Sequence, residues 1–182
     1  MTDEDQGKTG EPQAPGAERL SDEMMSTVYE ELRRLAAGYF RTQPSGHTLQ
    51  PTALVHEAFI RLACSNDFES REHFFAVAAT AMRQVLASHA RRRRALKRGG
   101  GDMSRVTLSG LQLPESEGID LVTLDDALEQ LERLSERQAN VVVCRFFGGL
   151  TLPEIAKTMG VSLTTIEKEW RRARAWLASE LS

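Results

Sequence analysis

The stretch LTLPEIAKTMGVSLTTI, Leu150 to Ile166, decides the reading of this chain: two capped helical segments flank a tight glycine turn, and WRRARAW follows almost at once. Thr151 stands at an N-cap position, with Pro153 in the opening turn and Glu154 three residues on. That spacing makes a capping box, which satisfies backbone N–H groups that a helix start leaves unpaired. Ala156 is small where two helices must cross closely, and Gly160 supplies the left-handed backbone that ends a helix without a Cβ clash. Ser162 caps the second helix. There Ile166, Trp170, Ala173 and Leu177 recur at helical spacing as one apolar stripe, while Thr164, Thr165, Lys168, Arg171, Arg172 and Arg174 fall largely off it. The pattern is that of a helix-turn-helix, one face packing and the other meeting phosphate and bases. An ordinary antiparallel helix pair with a solvated basic face is the alternative. Four cations against one acid between Lys168 and Arg174 favour the polyanion.

Working outward, Asp125 to Leu134 reads as a short helix carrying Leu128, Leu131 and Leu134. Ser135 with Gln138 marks a second capping box, opening a helix through Phe147 that Gly148 and Gly149 end. In the first half, Ser21 to Phe40, Thr52 to Ala63 and His73 to about Arg94 each carry apolar residues near helical period. Pro44 and Gly46 interrupt the first two. No stretch alternates like a strand, so the class is all-α: two small helical domains joined by a flexible acidic linker. Residues 1–19 read as a disordered tail, 20–98 as the first domain, 99–123 as the linker, with too few apolar residues for a helix, and 124–182 as the helix-turn-helix domain.

Charge is sorted along the chain. Net charge is only −3 over 182 residues, but residues 1–23 hold seven acids against two bases. Met82 to Arg98 then holds seven Lys or Arg and no acid, and residues 101–136 nine acids against two bases. The sorting implies two separated basic surfaces joined by an acidic connector. Cys64 and Cys144 are isolated, which argues against a disulfide framework or a zinc ribbon and for buried thiols in a reducing, cytoplasmic setting. No apolar run approaches the roughly 18 residues of a membrane span.

Taken together, ELRRLAAGYF, HTLQPTALVHEAFIRLA and HFFAVAATAMRQVLASHARRRRALKRGG resemble region two of the extracytoplasmic-function, or group-four, sigma factors. LERLSERQANVVVCRFFGGLTLPEIAKTMGVSLTTIEKEWRRARAWL is similar to their region four. The likeness covers Leu20 to Leu181, and TLQPTALVHEA suggests one branch, with EREW-type recognition helices. It implies a promoter-specificity subunit of bacterial RNA polymerase, without catalytic chemistry or cofactor. Its partners would be promoter DNA, the coiled coil of the largest polymerase subunit and the flap of the second-largest, with an anti-sigma factor or a kinase as possible regulators and no membrane.

The resemblance also distributes roles. Leu54, Val55, Glu57, Phe59, Ile60 and Arg61 occupy the helix that docks on the polymerase. The element melted at −10 maps to Phe68, Arg83, Arg91, Arg92, Arg93, Arg94, Lys97 and Arg98: the aromatic to stack on a base, the cations to hold phosphate. Phe74 and Phe75 are read as core instead. The −35 element falls to Thr164, Thr165, Lys168, Arg171, Arg172 and Arg174. Glu167 and Glu169 depart from the basic residues common there, Glu167 either accepting from a cytosine or pairing with Arg171. Gln50, Pro51, Thr52 and Ala53 stand where relatives carry an acidic cluster. Thr52 therefore has two readings, a helix cap or a phosphorylation switch restoring the missing charge.

Two other classes fit the residues less well. A helix-turn-helix regulator that does not associate with core polymerase would need a sensor or receiver domain, and the first half shows no strands. An enzyme would have to use His47, His56, His73 and His89, none of them at metal-ligand spacing.

Overall fold

The computed structural model describes residues 22–40, 49–62, 68, 70–96, 105–106 and 119–181. The tail at 1–19, most of the acidic connector, and Cys64, Asn66, Lys97 and Arg98 lie outside them. The fold is all-α: α1 (Asp22–Phe40), α2 (Pro51–Leu62), α3 (Arg71–Leu96), α4 (Leu121–Leu134), α5 (Glu136–Phe146), α6 (Leu152–Thr158) and α7 (Leu163–Glu180). Two two-residue strands, β1 (Arg105–Val106) and β2 (Ile119–Asp120), pair antiparallel before α4.

Each helix forms where its apolar residues recur at helical spacing. On α1 the buried positions are Val28, Leu32, Ala36 and Tyr39; on α2 they are Leu54, Val55, Ala58 and Leu62. The 26-residue α3 buries a far wider arc, from Phe74 and Phe75 through Met82 to Ala90. It needs that arc because it packs on α2 and also on α4, α5 and α6. Alanines at 78, 79, 81, 87 and 90 keep its backbone close to those neighbours. The buried side chains of α1–α3 and α4–α7 accordingly belong to one continuous cluster.

The halves are fastened at named points. The Tyr39 hydroxyl lies against the carbonyls of Phe146, 2.7 Å, and Phe147, 2.9 Å, at the end of α5. A Cβ on Gly148 would stand 3.1 Å from that of Ala79 and 3.2 Å from the Phe75 carbonyl, so glycine is what allows α3 and the α5–α6 turn to touch. Lys157 Nζ donates to Glu72 at 3.1 Å, and Arg71 bridges Glu31 and Glu154.

Three local expectations change. α4 starts at Leu121, not Asp125, because the Asp120 carboxylate accepts from the Thr123 N–H and caps the helix there, taking Leu121 and Val122 into the core. Ser135 caps α5 through the Gln138 N–H, but Gln138 does not complete a box: its amide donates to Glu169 on α7. Thr52 is not the cap of α2. Gln50 O accepts the first helical bond from Leu54 N, Pro51 opens the helix, and Thr52 sits exposed at its second position.

Candidate nucleic-acid interface

The helix-turn-helix has the geometry its sequence dictates. Thr151 Oγ1 accepts from the Glu154 N–H, and Glu154 Oε2 reaches back to accept from the Thr151 N–H at 2.7 Å, a complete capping box. The bonds from the Thr151 hydroxyl and N–H hold the Glu154 carboxyl below its ordinary range. After α6, Gly160 takes φ 63°, and the N–H groups of Gly160 and Val161 return to the carbonyls of Lys157 and Ala156. Ser162 then caps α7 through the Thr165 N–H.

Ile166, Ala173 and Leu177 of α7 are buried, and Trp170 lies half-buried with its ring 5.5 Å from that of Phe146. With that stripe packed, Thr164, Lys168, Arg171 and Arg172 are exposed together with Glu167. Two expected DNA-facing residues are less open: the Thr165 hydroxyl is hydrogen-bonded to Ser162, and the Arg174 guanidinium lies 5.8 Å from the Trp170 ring centroid. Glu167 and Arg171 form no ion pair. The pair on this helix is Arg172 with Glu169 at 3.7 Å, and Glu169 is the residue that Gln138 bonds.

On α3 the basic run is divided. Arg92 and Arg94 are exposed and Arg93 half-buried. Arg83 and Arg91 are turned inward to α4: Arg83 Nε bonds Asp125 Oδ1 at 2.7 Å, and Arg91 bonds Asp125 Oδ2 at 2.8 Å and Asp126 at 2.9 Å. Arg91 keeps its proton more firmly than usual, first because of the Asp126 hydrogen bond. Arg83 and Arg91 of the first basic surface thus face the acids of α4. Phe68 packs edge-on against Phe74, 4.9 Å between centroids, and Phe74 and Phe75 are core, as their spacing predicts.

On α2, Leu54 and Val55 are completely buried and present nothing outward. Phe59 is half-buried against Tyr29 and Phe74, and Glu57 bonds His89 at 3.0 Å. The outward residues are Thr52, His56, Ile60 and Arg61. Ile60, 71% exposed, is an unusual open position for an isoleucine. Sequence reasoning misses His56, although its place midway between Thr52 and Ile60 at four-residue intervals marks the same stripe. It misses Tyr39, Gly148 and the acids of α4 too. For the last, the signal is the opposite charge of adjacent blocks.

His47 lies outside the described residues, and His56 and His89 bond Tyr29 and Glu57. Among the described residues no group of three or more His, Cys, Asp or Glu is placed to hold a metal ion. Burial pushes the Cys144 thiol up to about 11. No described helix is long and apolar enough to cross a membrane.

An all-α chain ending in a capped helix-turn-helix with a cationic outer face is a DNA-binding protein by fold and site. The chain belongs to the ECF sigma factor family, whose model matches residues 12–182. It is therefore an alternative sigma factor, a regulatory DNA-binding subunit that associates with RNA polymerase and promoter DNA in transcription initiation. Neither a search of curated proteins nor one of solved structures returned a match.

Proposed function

We propose a division of labour among three surfaces of this sigma factor, within the domain limits 20–98 and 124–182. The outer face of α7 reads the −35 duplex, Thr164, Lys168, Arg171 and Arg172 directly, with Thr165 and Arg174 at its margins. The end of α3, Arg91 to Arg94 with Lys97 and Arg98, holds phosphates beside the melted element, with Arg83 and Phe68 joining once the chain is on the promoter. The outward stripe of α2, Ile60 and Arg61 flanked by Glu57 and Phe59, docks on the coiled coil of the largest polymerase subunit, with Leu54 and Val55 supporting it from behind. The flap of the second-largest subunit meets the helix-turn-helix domain, and the acidic connector that precedes β2 runs through a basic channel of the polymerase. Thr52 is the point where a kinase would add charge, an anti-sigma factor being the other route of control.

The observation that carries this reading is the sidedness of α7, buried at Ile166, Ala173 and Leu177 and cationic on the opposite face. Run-off transcription with core polymerase, followed by mapping of start sites, tests it. The wild-type chain is expected to direct initiation at a defined promoter, and Ile60→Asp to lose core binding while keeping duplex affinity. Loss of duplex affinity with core binding intact in that variant would refute the assignment of α2.

A further inference from the structure

Two of the α3 cations assigned above to DNA, Arg83 and Arg91, are already occupied by carboxylates of the same chain. Asp125 is buried, its side chain 8% exposed, and each of its oxygens takes one arginine, Arg83 on Oδ1 and Arg91 on Oδ2. Around it, Asp126 and Glu129 engage Arg91 at 2.9 and 3.5 Å, and Glu132 stands 3.7 Å from Arg83. Asp125, Glu129 and Glu132 recur at i, i+4 and i+7 and so line one face of α4 against the basic face of α3. An ion pair taken out of water gains little net stability over apolar packing, but it fixes which surfaces meet. Strand phosphates present the same chemistry, unit negative charges with oxygens for a guanidinium fork.

We propose that the acidic face of α4 is an internal phosphate mimic that closes the free chain, so that α4 and the DNA backbone compete for Arg83 and Arg91 and the halves separate when DNA takes them. The inference rests on the assignment of α3 to DNA. It adds that the free protein is shut to nucleic acid at this surface by its own second half.

The experiment uses the full chain with Asp126→Asn/Glu129→Gln, both exposed on α4, so that no buried site is emptied. A second variant adds Asp125→Asn. The control Glu30→Gln/Glu136→Gln makes the same change in net charge as the first variant, away from the α3–α4 interface. A fluorescein-labelled single-stranded oligonucleotide at low salt is the probe for binding, and small-angle X-ray scattering gives the radius of gyration. The clasp variants should expand and bind the oligonucleotide about 5-fold more tightly than the control, the size of a modest coupling between two equilibria. The wild-type chain should also expand between about 50 mM and about 500 mM salt, as screening weakens the ion pairs. Dimensions and affinity equal to the control's in both variants would overturn the proposal. Expansion without a gain in affinity would overturn the competition for α3, whereas failure of the sigma-factor assignments themselves would appear separately as absence of promoter-directed run-off transcripts.

Discussion

The hydroxyl of Tyr39, near the end of α1, lies 2.9 Å from the carbonyl oxygen of Phe147, the residue that caps α5 at its C-terminus. One side chain of the first half thus satisfies carbonyls of the second that no helical N–H reaches. Burial drives the phenol well above its ordinary range, so it stays a donor at any working pH. Tyr39→Phe keeps the ring and deletes the donor. It is expected to cost about 1–3 kcal/mol, the penalty for leaving a buried partner unsatisfied, measured by urea denaturation.

Two glycines should respond differently to alanine. Gly148→Ala places a Cβ 2.7 Å from the Cys144 carbonyl and 3.1 Å from the Cβ of Ala79, so backbone must move, at about 1–3 kcal/mol. Gly160 has open space beside it and φ 63°, so Gly160→Ala meets only the left-handed penalty of about 1–2 kcal/mol. The destabilisation from Gly148→Ala should come with a larger radius of gyration, and that from Gly160→Ala without one.

Acidification should weaken the start of α6. The folded carboxyl of Glu154 lies below 4.5, first because of the Thr151 hydroxyl bond, so its contribution is fully present above that pH and is lost as pH falls through the folded value. Glu72, held low first by a bond from its own backbone N–H and next by Lys157, acts in the same direction. Glu154→Gln preserves the cap without the charge. Its unfolding midpoint should therefore fall less steeply than the wild type's below about pH 4.5, leaving the smaller slope that Glu72 supplies.

Duplex binding should reveal its phosphate partners through salt. Arg171→Ala/Arg172→Ala is expected to weaken binding to −35 DNA and to reduce the log–log salt slope by about 0.9 for each phosphate no longer neutralised, with core polymerase binding unchanged. Fluorescence anisotropy over a salt series measures it.

Thr52, exposed at the second position of α2, has no capping bond to give up, so Thr52→Ala should leave stability within about 0.5 kcal/mol. Thr52→Asp adds charge at a helix N-terminus, where it is favourable in itself. If phosphate there serves polymerase docking, this variant binds core enzyme more tightly at low salt, and an affinity equal to the wild type's removes Thr52 as a switch.

The seven described helices are legible in the sequence, because each carries an apolar stripe of its own and most are bounded by a capping side chain or a glycine. The recognition helix is legible down to its stripe, since Ile166, Ala173 and Leu177 answer only to local period. What escapes is pairing across the chain. Leu54 and Val55 take a docking role from the family resemblance, whereas their apolar character answers to α1 and α3, which bury them. The basic block at α3 reads as a surface for DNA and the acidic block after it as a connector, although opposite charges so near in sequence serve each other equally well. The start of α4 is misplaced from spacing alone because Asp120 works as a cap by the direction of its carboxylate, which spacing does not reveal.

The hydrogen bond from Gln138 to Glu169, 2.8 Å long, pins α7 at one rotation about its own axis. Successive residues of a helix are about 100° apart, so a roll of a few tens of degrees would swing Lys168 or Arg172 toward a different groove edge without altering the outer face. Glu169 is thereby an index mark. On the proposed reading of the −35 duplex by this face, replacing Gln138 or Glu169 would retune base preference with Lys168 and Arg172 left in place.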